Sequence, residues 1–168
     1  MGNREDWDTA MNEQQICQVV EQVISQTKTK AMNLKLACAL ISKIENKAER
    51  MGIAVVIAVS DKAARPVAVH CMDGAYIASY DIAVNKAYTS AGLKMSTAKL
   101  AGLAQPGQEL YGIQHTNQGR IVIFGGGEVL EDKGKIVGAL GVSGGTLEQD
   151  TELAAYGKEI FEEVLRCL

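Results

Sequence analysis

Ile53-Ala-Val-Val-Ile-Ala-Val-Ser-Asp-Lys-Ala-Ala-Arg-Pro-Val-Ala-Val-His-Cys-Met72 holds two apolar runs separated by turn chemistry. Residues 53–59 carry no polar side chain and are rich in β-branched residues, which suits a strand covered on both faces. Ser60-Asp61-Lys62 breaks the run, and Arg65 to Met72 resumes it, with Pro66 suited to a strand start or an edge. Strands joined this closely pair antiparallel, because a parallel pair needs a long crossover. The sheet is therefore expected to be mainly antiparallel.

Downstream, Asp73 can cap a helix running from Ala75 to about Leu93. Ala75, Ala78, Ala83, Ala87 and Ala91 make that helix slim, while Tyr76, Tyr80 and Tyr88 form a second stripe suited to a half-buried surface or subunit contact. Ser96 caps a shorter helix over Thr97 to Ala104, which Pro106-Gly107 stops. Gly119 to Phe124 reads as a strand, Glu128 to Leu130 as a short extended piece, and Lys135 to Val142 as the last strand. Glu131-Asp132-Lys133-Gly134 is a hairpin turn with Gly134 at a positive φ. Gly138 and Gly141 lie inside the last strand, as if a helix lay close against it. Thr146 and Gln149 then form a capping box for the final helix, which buries Leu153, Tyr156, Ile160, Phe161 and Val164.

Upstream, Leu34, Ala37, Ile41, Ile44, Ala48 and Met51 step at helical spacing, and Gly52 ends that helix. Residues 1–30 differ: Gln- and Glu-rich, with Ile16, Val19, Val20, Val23 and Ile24 at helical spacing behind a frayed start. They read as an N-terminal helical extension, and residues 31–168 as a single domain. The class is α+β, five mainly antiparallel strands covered by helices in three layers.

The chain has 168 residues, 47% apolar and 22% charged, enough to bury a core without metal or disulfide staples. No cofactor is needed for folding on this count. It is poor in rings (five Tyr, two Phe, one Trp) and rich in glycine, with 17 in all. A net charge of -3 with scattered basic residues speaks against nucleic acid as a partner. The longest uncharged run, residues 136–147, is too short to cross a membrane. Met1 to Asp8 is acidic and lacks the apolar stretch of a secretory signal, so a cytoplasmic location is expected. Cys17, Cys38, Cys71 and Cys167 form no C-x-x-C pair, which leaves idle thiols in a reducing compartment as the reading.

Little in the sequence points to catalysis, and whether the chain is an enzyme stays open. Neither His70 nor His115 sits in a nucleophile motif, and neighbours on a strand such as His70 and Cys71 point to opposite faces. No metal-site spacing is present. Residues 141–146, Gly-Val-Ser-Gly-Gly-Thr, enter a helix N-terminus, where free N–H groups and the dipole attract anions. Ser143, Gly144, Gly145 and Thr146, with Lys86, are candidate anion holders. The alternative is a plain tight turn, since the Walker lysine is missing and Glu148 and Asp150 already occupy the first turn. Haem iron takes His, Cys, Met or Tyr. His70 and Met72 share a strand face, and His115 lies in a loop beside Gly125, Gly126 and Gly127. Taken alone, each histidine reads first as an ordinary polar residue.

Three stretches together resemble one family: Val67-Ala-Val-His-Cys-Met-Asp-Gly-Ala75, Ser79-Tyr-Asp-Ile-Ala-Val-Asn-Lys-Ala-Tyr-Thr89, and Gly138-Ala-Leu-Gly-Val-Ser-Gly-Gly-Thr-Leu-Glu-Gln-Asp150. The family is the GlcG/HbpS type, which includes the C-terminal domain of PduO-type adenosyltransferases. The resemblance covers residues 30 to 165. Tyr111-Gly-Ile-Gln and Gly119-Arg-Ile-Val-Ile-Phe-Gly-Gly-Gly127 resemble the PduO branch. It implies a profilin-like five-stranded fold, a homo-oligomer, haem as ligand with His70, Met72 and His115 available to it, and a link to glycerol or 1,2-diol utilisation. The chain departs from the family in Ala63-Ala64, where a glycine turn is usual, and it carries no adenosyltransferase domain, so corrinoid chemistry does not transfer. Two other readings stay open. One is an enzyme or binding protein for a small anionic or carbonyl metabolite, with Lys86 and the Ser143–Thr146 loop as holders. The other is a structural partner of a pathway enzyme.

Overall fold

The computed structural model describes residues 12–27 and 29–168. The helix expected within residues 1–30 is α1 (Glu13–Thr27), and the frayed start before it lies outside the described residues. Four further helices and four strands follow: α2 (Leu34–Arg50), β1 (Val56–Asp61), β2 (Pro66–Cys71), α3 (Ser79–Leu93), α4 (Thr97–Leu103), β3 (Gly127–Asp132), β4 (Lys135–Ser143) and α5 (Leu147–Arg166). The strands form one antiparallel sheet in the order β2-β1-β4-β3, so both hairpins form and the two central strands, β1 and β4, join them.

The central strands have no solvent face. Val55, Ile57 and Val59, with Leu140 and Val142 of β4, pack under α2 and α5, while Val56 and Ala58 pack under Ala83 and Ala87 of α3. The chain is thus helix, sheet, helix in section. Each fully buried Leu, Ile or Phe in the thicker half, such as Leu40, Ile44, Leu153 and Phe161, contributes about 1.5–3 kcal/mol. The expected α2 stripe is buried at Ala37, Ile41, Ile44 and Ala48 and is wider than expected. Leu34 is exposed at the first turn, and Leu36 and Leu40 take up core positions with Ala37, Ile41, Ile44 and Ala48.

Four strands form among the described residues, where five were expected. The missing one is Gly119–Phe124. Asn117, Gln118 and Gly119 all take positive φ, so the chain is still turning where the strand should start. Beyond that, the Val122 N–H donates to the Thr89 hydroxyl on α3 (3.0 Å), and Ile121 and Val122 are buried against the body. The apolar run is pinned to a helix instead of a strand. The α3 start also differs, since Asp73-Gly74 and Ile77-Ala78 form successive turns and the helix begins only at Ser79.

The β1–β2 turn passes through Ala63-Ala64. Ala64 takes φ +60, a conformation L-residues disfavour by about 1–2 kcal/mol. Asp61 holds the turn, its Oδ1 accepting from the N–H groups of Ala63 (2.8 Å) and Arg65 (3.0 Å) and its Oδ2 from Arg65 Nε (2.9 Å). Burial pushes the Asp61 carboxyl up, but these hydrogen bonds and the Arg65 charge outweigh it and hold the group below its ordinary value. Ala64→Gly is expected to raise stability by about 1 kcal/mol, read as a higher urea midpoint with an unchanged slope.

Candidate functional site

The glycine loops converge on one buried ion pair. Lys86 of α3 lies one turn beyond Ala83, and its side chain is fully buried. Its Nζ donates to the Val142 carbonyl (2.7 Å) and to Asp150 Oδ2 (2.8 Å), and the Phe124 ring covers it at 5.0 Å. Burial pulls the Lys86 pKa down from its ordinary value, with the Asp150 hydrogen bond and charge opposing. Gly126 (φ +106) crosses this pair so closely that a Cβ there would lie 2.6 Å from Lys86 Nζ and 2.7 Å from the Val142 oxygen. At Gly127 a Cβ would meet Thr97 and Ser90, and at Gly125 it would meet Thr151. The run Gly125–Gly127 is therefore in contact with its own chain.

The β4–α5 loop is also self-satisfied. The Gly145 N–H donates to Asp150 Oδ1 (2.9 Å), the Thr146 N–H to Gln149 Oε1 (2.9 Å) and the Gln149 N–H to Thr146 Oγ1 (3.3 Å). The capping box expected from Thr146 and Gln149 is formed. Hydrogen bonds from its own N–H and from the Thr146 hydroxyl hold the Glu148 carboxyl below its ordinary value, so the first turn already carries negative charge. An anion arriving here would have to displace Asp150 from both Lys86 and Gly145. Above this floor is a hollow of about 400 Å³, bounded by Tyr76, Ser79, Phe124, Ser143 and Leu147.

The histidines stand apart. His70 on edge strand β2 faces α2, where its Nδ1 lies 2.9 Å from Glu45 Oε1. Met72, on the same face, lines a hollow of about 820 Å³ with Glu45, Asn46 and Glu49. His115 is exposed in a short 3-10 turn, Ile113–His115. The loop that follows is tied to α3: Asn117 Nδ2 donates to the Tyr88 hydroxyl (3.1 Å), and the Arg120 guanidinium stacks on the Tyr88 ring at 3.7 Å. With α2 and α3 on opposite faces of the sheet, one chain brings His70 and Met72 together and keeps His115 away from both. Among the described residues no three His, Cys, Asp or Glu side chains are grouped to hold a metal ion, and no helix is long and apolar enough to cross a membrane.

A family model described as haem degrading protein HbpS-like matches residues 32–159. The chain belongs to the HbpS-like family. A 15.0 kDa uncharacterised protein of Citrobacter freundii from the dhaT-dhaS intergenic region is 43% identical over 133 residues, 79% of this chain and 94% of that one. The Klebsiella pneumoniae protein ORFY has a similar crystal structure, with TM-score 0.77, 40% identity, and 81% of this chain and 94% of that one covered. A crystal structure of a PduOC:haem complex matches with TM-score 0.74 and 32% identity, covering 77% of this chain and 94% of the other.

In this HbpS-like chain the partners of the candidate residues lay beyond sequence patterning. Glu45 is 25 residues from His70, and Asp150 is 64 from Lys86. The one local signal was Asp150 in the first turn of α5, where a carboxylate is expected to favour the helix end. It faces inward instead.

Proposed function

We propose that this protein binds a haem-type tetrapyrrole as an accessory of glycerol or 1,2-diol utilisation, in the cytoplasm, as a homo-oligomer with a profilin-like fold. Residues 31–168 act as the domain and 1–30 as its extension. The observation that carries the reading is the His70–Glu45 contact. Ligating histidines characteristically give one ring nitrogen to a carboxylate, which orients the ring and leaves the other nitrogen basic and free. His70 has that arrangement through Nδ1, with Nε2 left for iron and Met72 beside it. The likeness to a PduOC solved with haem supports the ligand, and the relative from between dhaT and dhaS supports the pathway.

Four free cysteines fit a reducing compartment. The oligomer is supported by the α1 stripe, where Ile16, Val19, Val20 and Val23 are about half exposed. His115 can reach an iron held at His70 only from a second copy.

Titrating the protein with hemin tests this. A saturating Soret shift is expected, lost in His70→Ala and weakened about 10- to 100-fold in Glu45→Gln. The absence of a shift, or one that survives His70→Ala combined with His115→Ala, defeats the proposal.

A further inference from the structure

We propose that Arg120 and Tyr88 form a binding site for an oxyanion group, the carboxylate or phosphate of a small ligand. The site goes beyond the haem reading, because neither residue lines the hollow at Met72.

The way Arg120 is held carries the inference. Its carbonyl accepts from the Thr89 hydroxyl (3.3 Å), its Nε donates to Asn85 Oδ1 (3.3 Å), and its guanidinium stacks on the Tyr88 ring at 3.7 Å. Asn85, Tyr88 and Thr89 share one side of α3 at helical spacing, so the helix fixes both the backbone and the plane of the fork. The two terminal nitrogens of the fork have no hydrogen-bond or ion-pair partner among the described residues. A guanidinium positioned in advance loses little freedom when a ligand arrives.

Its charge is also unanswered. Arg65 and Arg166, with side chains 80% and 79% exposed, are each paired with a carboxylate, Asp61 and Glu162. Arg120 is more withdrawn from water, yet no carboxylate among the described residues lies within ion-pair distance of it. Asp81, one turn before Asn85 on α3, is exposed and forms no ion pair with it. A charge that gives up water without gaining a counter-charge is costly, and an arriving oxyanion supplies the missing one.

Tyr88 adds a second donor. Its hydroxyl accepts from Asn117 Nδ2 (3.1 Å), which leaves its own proton to donate at the edge of the ring that the guanidinium covers. Asn117, Gln118 and Gly119 all take positive φ to bring Arg120 onto this ring, and at Gln118 (φ +59) that conformation is strained. The result is a planar fork and an O–H with no acceptor of their own. Carboxylates and phosphates are acceptors that fit such a fork through two parallel hydrogen bonds.

The test is a ¹H–¹⁵N titration of the full chain at pH 7 with benzoate and with inorganic phosphate, and benzamide as the neutral analogue. Saturable shifts are expected at the Arg120 Nε–H and the Gly119 amide, with Kd on the order of 1 mM for at least one anion. The anion that binds more tightly names the class. Benzamide should be at least about ten-fold weaker. Arg120→Lys keeps the charge without the fork and should weaken binding about ten-fold, followed at Gly119. Tyr88→Phe keeps the stack without the hydroxyl and should weaken it about three- to ten-fold. Arg50→Ala, which removes an exposed charge at the end of α2, should leave it unchanged. Absence of a saturable shift with both anions overturns the proposal. So does benzamide binding as tightly, or an affinity that Arg120→Lys and Tyr88→Phe leave unchanged.

Discussion

Asp150→Ala is expected to lower the unfolding free energy by about 3–5 kcal/mol, measured by urea denaturation at pH 7. A domain of this kind holds only about 5–15 kcal/mol in total, so the variant should be partly unfolded at moderate urea. The loss has two sources. Removing the carboxylate leaves the fully buried Lys86 ammonium with the Val142 carbonyl as its hydrogen-bond partner, and it strips the Gly145 N–H of its acceptor. An uncompensated buried charge is the larger of the two. The double variant Lys86→Met with Asp150→Asn removes the charges and keeps an oxygen for Gly145, and it should recover more than half of the loss. A deficit under about 1 kcal/mol in Asp150→Ala would show that Lys86 is not desolvated. The pH dependence has a definite sign. The folded pKa of Lys86 is lowered, so between that value and the ordinary 10.5 the unfolded chain binds more protons and stability rises with pH. Without Asp150, the opposing hydrogen bond and charge are gone and burial pulls the group further down. The deficit of Asp150→Ala should therefore shrink as pH rises from 7 toward 10.5.

What was legible in the sequence was local. The Thr146–Gln149 capping box, the Ser96 cap and the Lys133-Gly134 turn each depend on residues within three positions, and all three are formed. The two hairpins followed from short connections between apolar runs. What failed depended on distant partners. The segment 119–124 has the composition of a strand, but the hydroxyl of Thr89, 33 residues before Val122, takes its N–H. Lys86 looked like an available cation because nothing nearby in sequence neutralises it, and Asp150 looked like a helix-end charge for the same reason. Gly125, Gly126, Gly127, Gly144 and Gly145 had no visible structural need, yet a Cβ at any of them would run into the chain's own atoms. Small residues chosen for close approach are invisible until the neighbour is placed. The HbpS-like resemblance pointed to His70 as a candidate, but it could not supply Glu45, 25 residues away in sequence and 2.9 Å from the His70 ring.

Glycine substitutions separate the two kinds of position within one sheet and the helix on it. Gly141→Ala is expected to destabilise by about 3 kcal/mol, because the added methyl would be driven into the Ala83 carbonyl and to 2.7 Å from the Ala87 N–H. Both are backbone atoms of α3, so no rotamer change relieves the clash, and the helix must lift off Val56 and Ala58 to make room. That movement would also drag Lys86 from the Val142 carbonyl, coupling the two largest effects. Gly138 is different from what its place in β4 suggests. Its close neighbour is the Ser60 carbonyl of the adjacent strand, so alanine there would strain the β1–β4 ladder rather than the helix packing. Gly92, inside α3 with open space around its Cβ position, provides the contrast. Gly92→Ala should stabilise by about 0.5–1 kcal/mol through helix propensity. Thermal or urea unfolding of Gly141→Ala and Gly92→Ala should therefore shift in opposite directions. If Gly141→Ala unfolds within about 0.5 kcal/mol of the parent, the close approach of α3 to β4 is not what holds that face of the sheet.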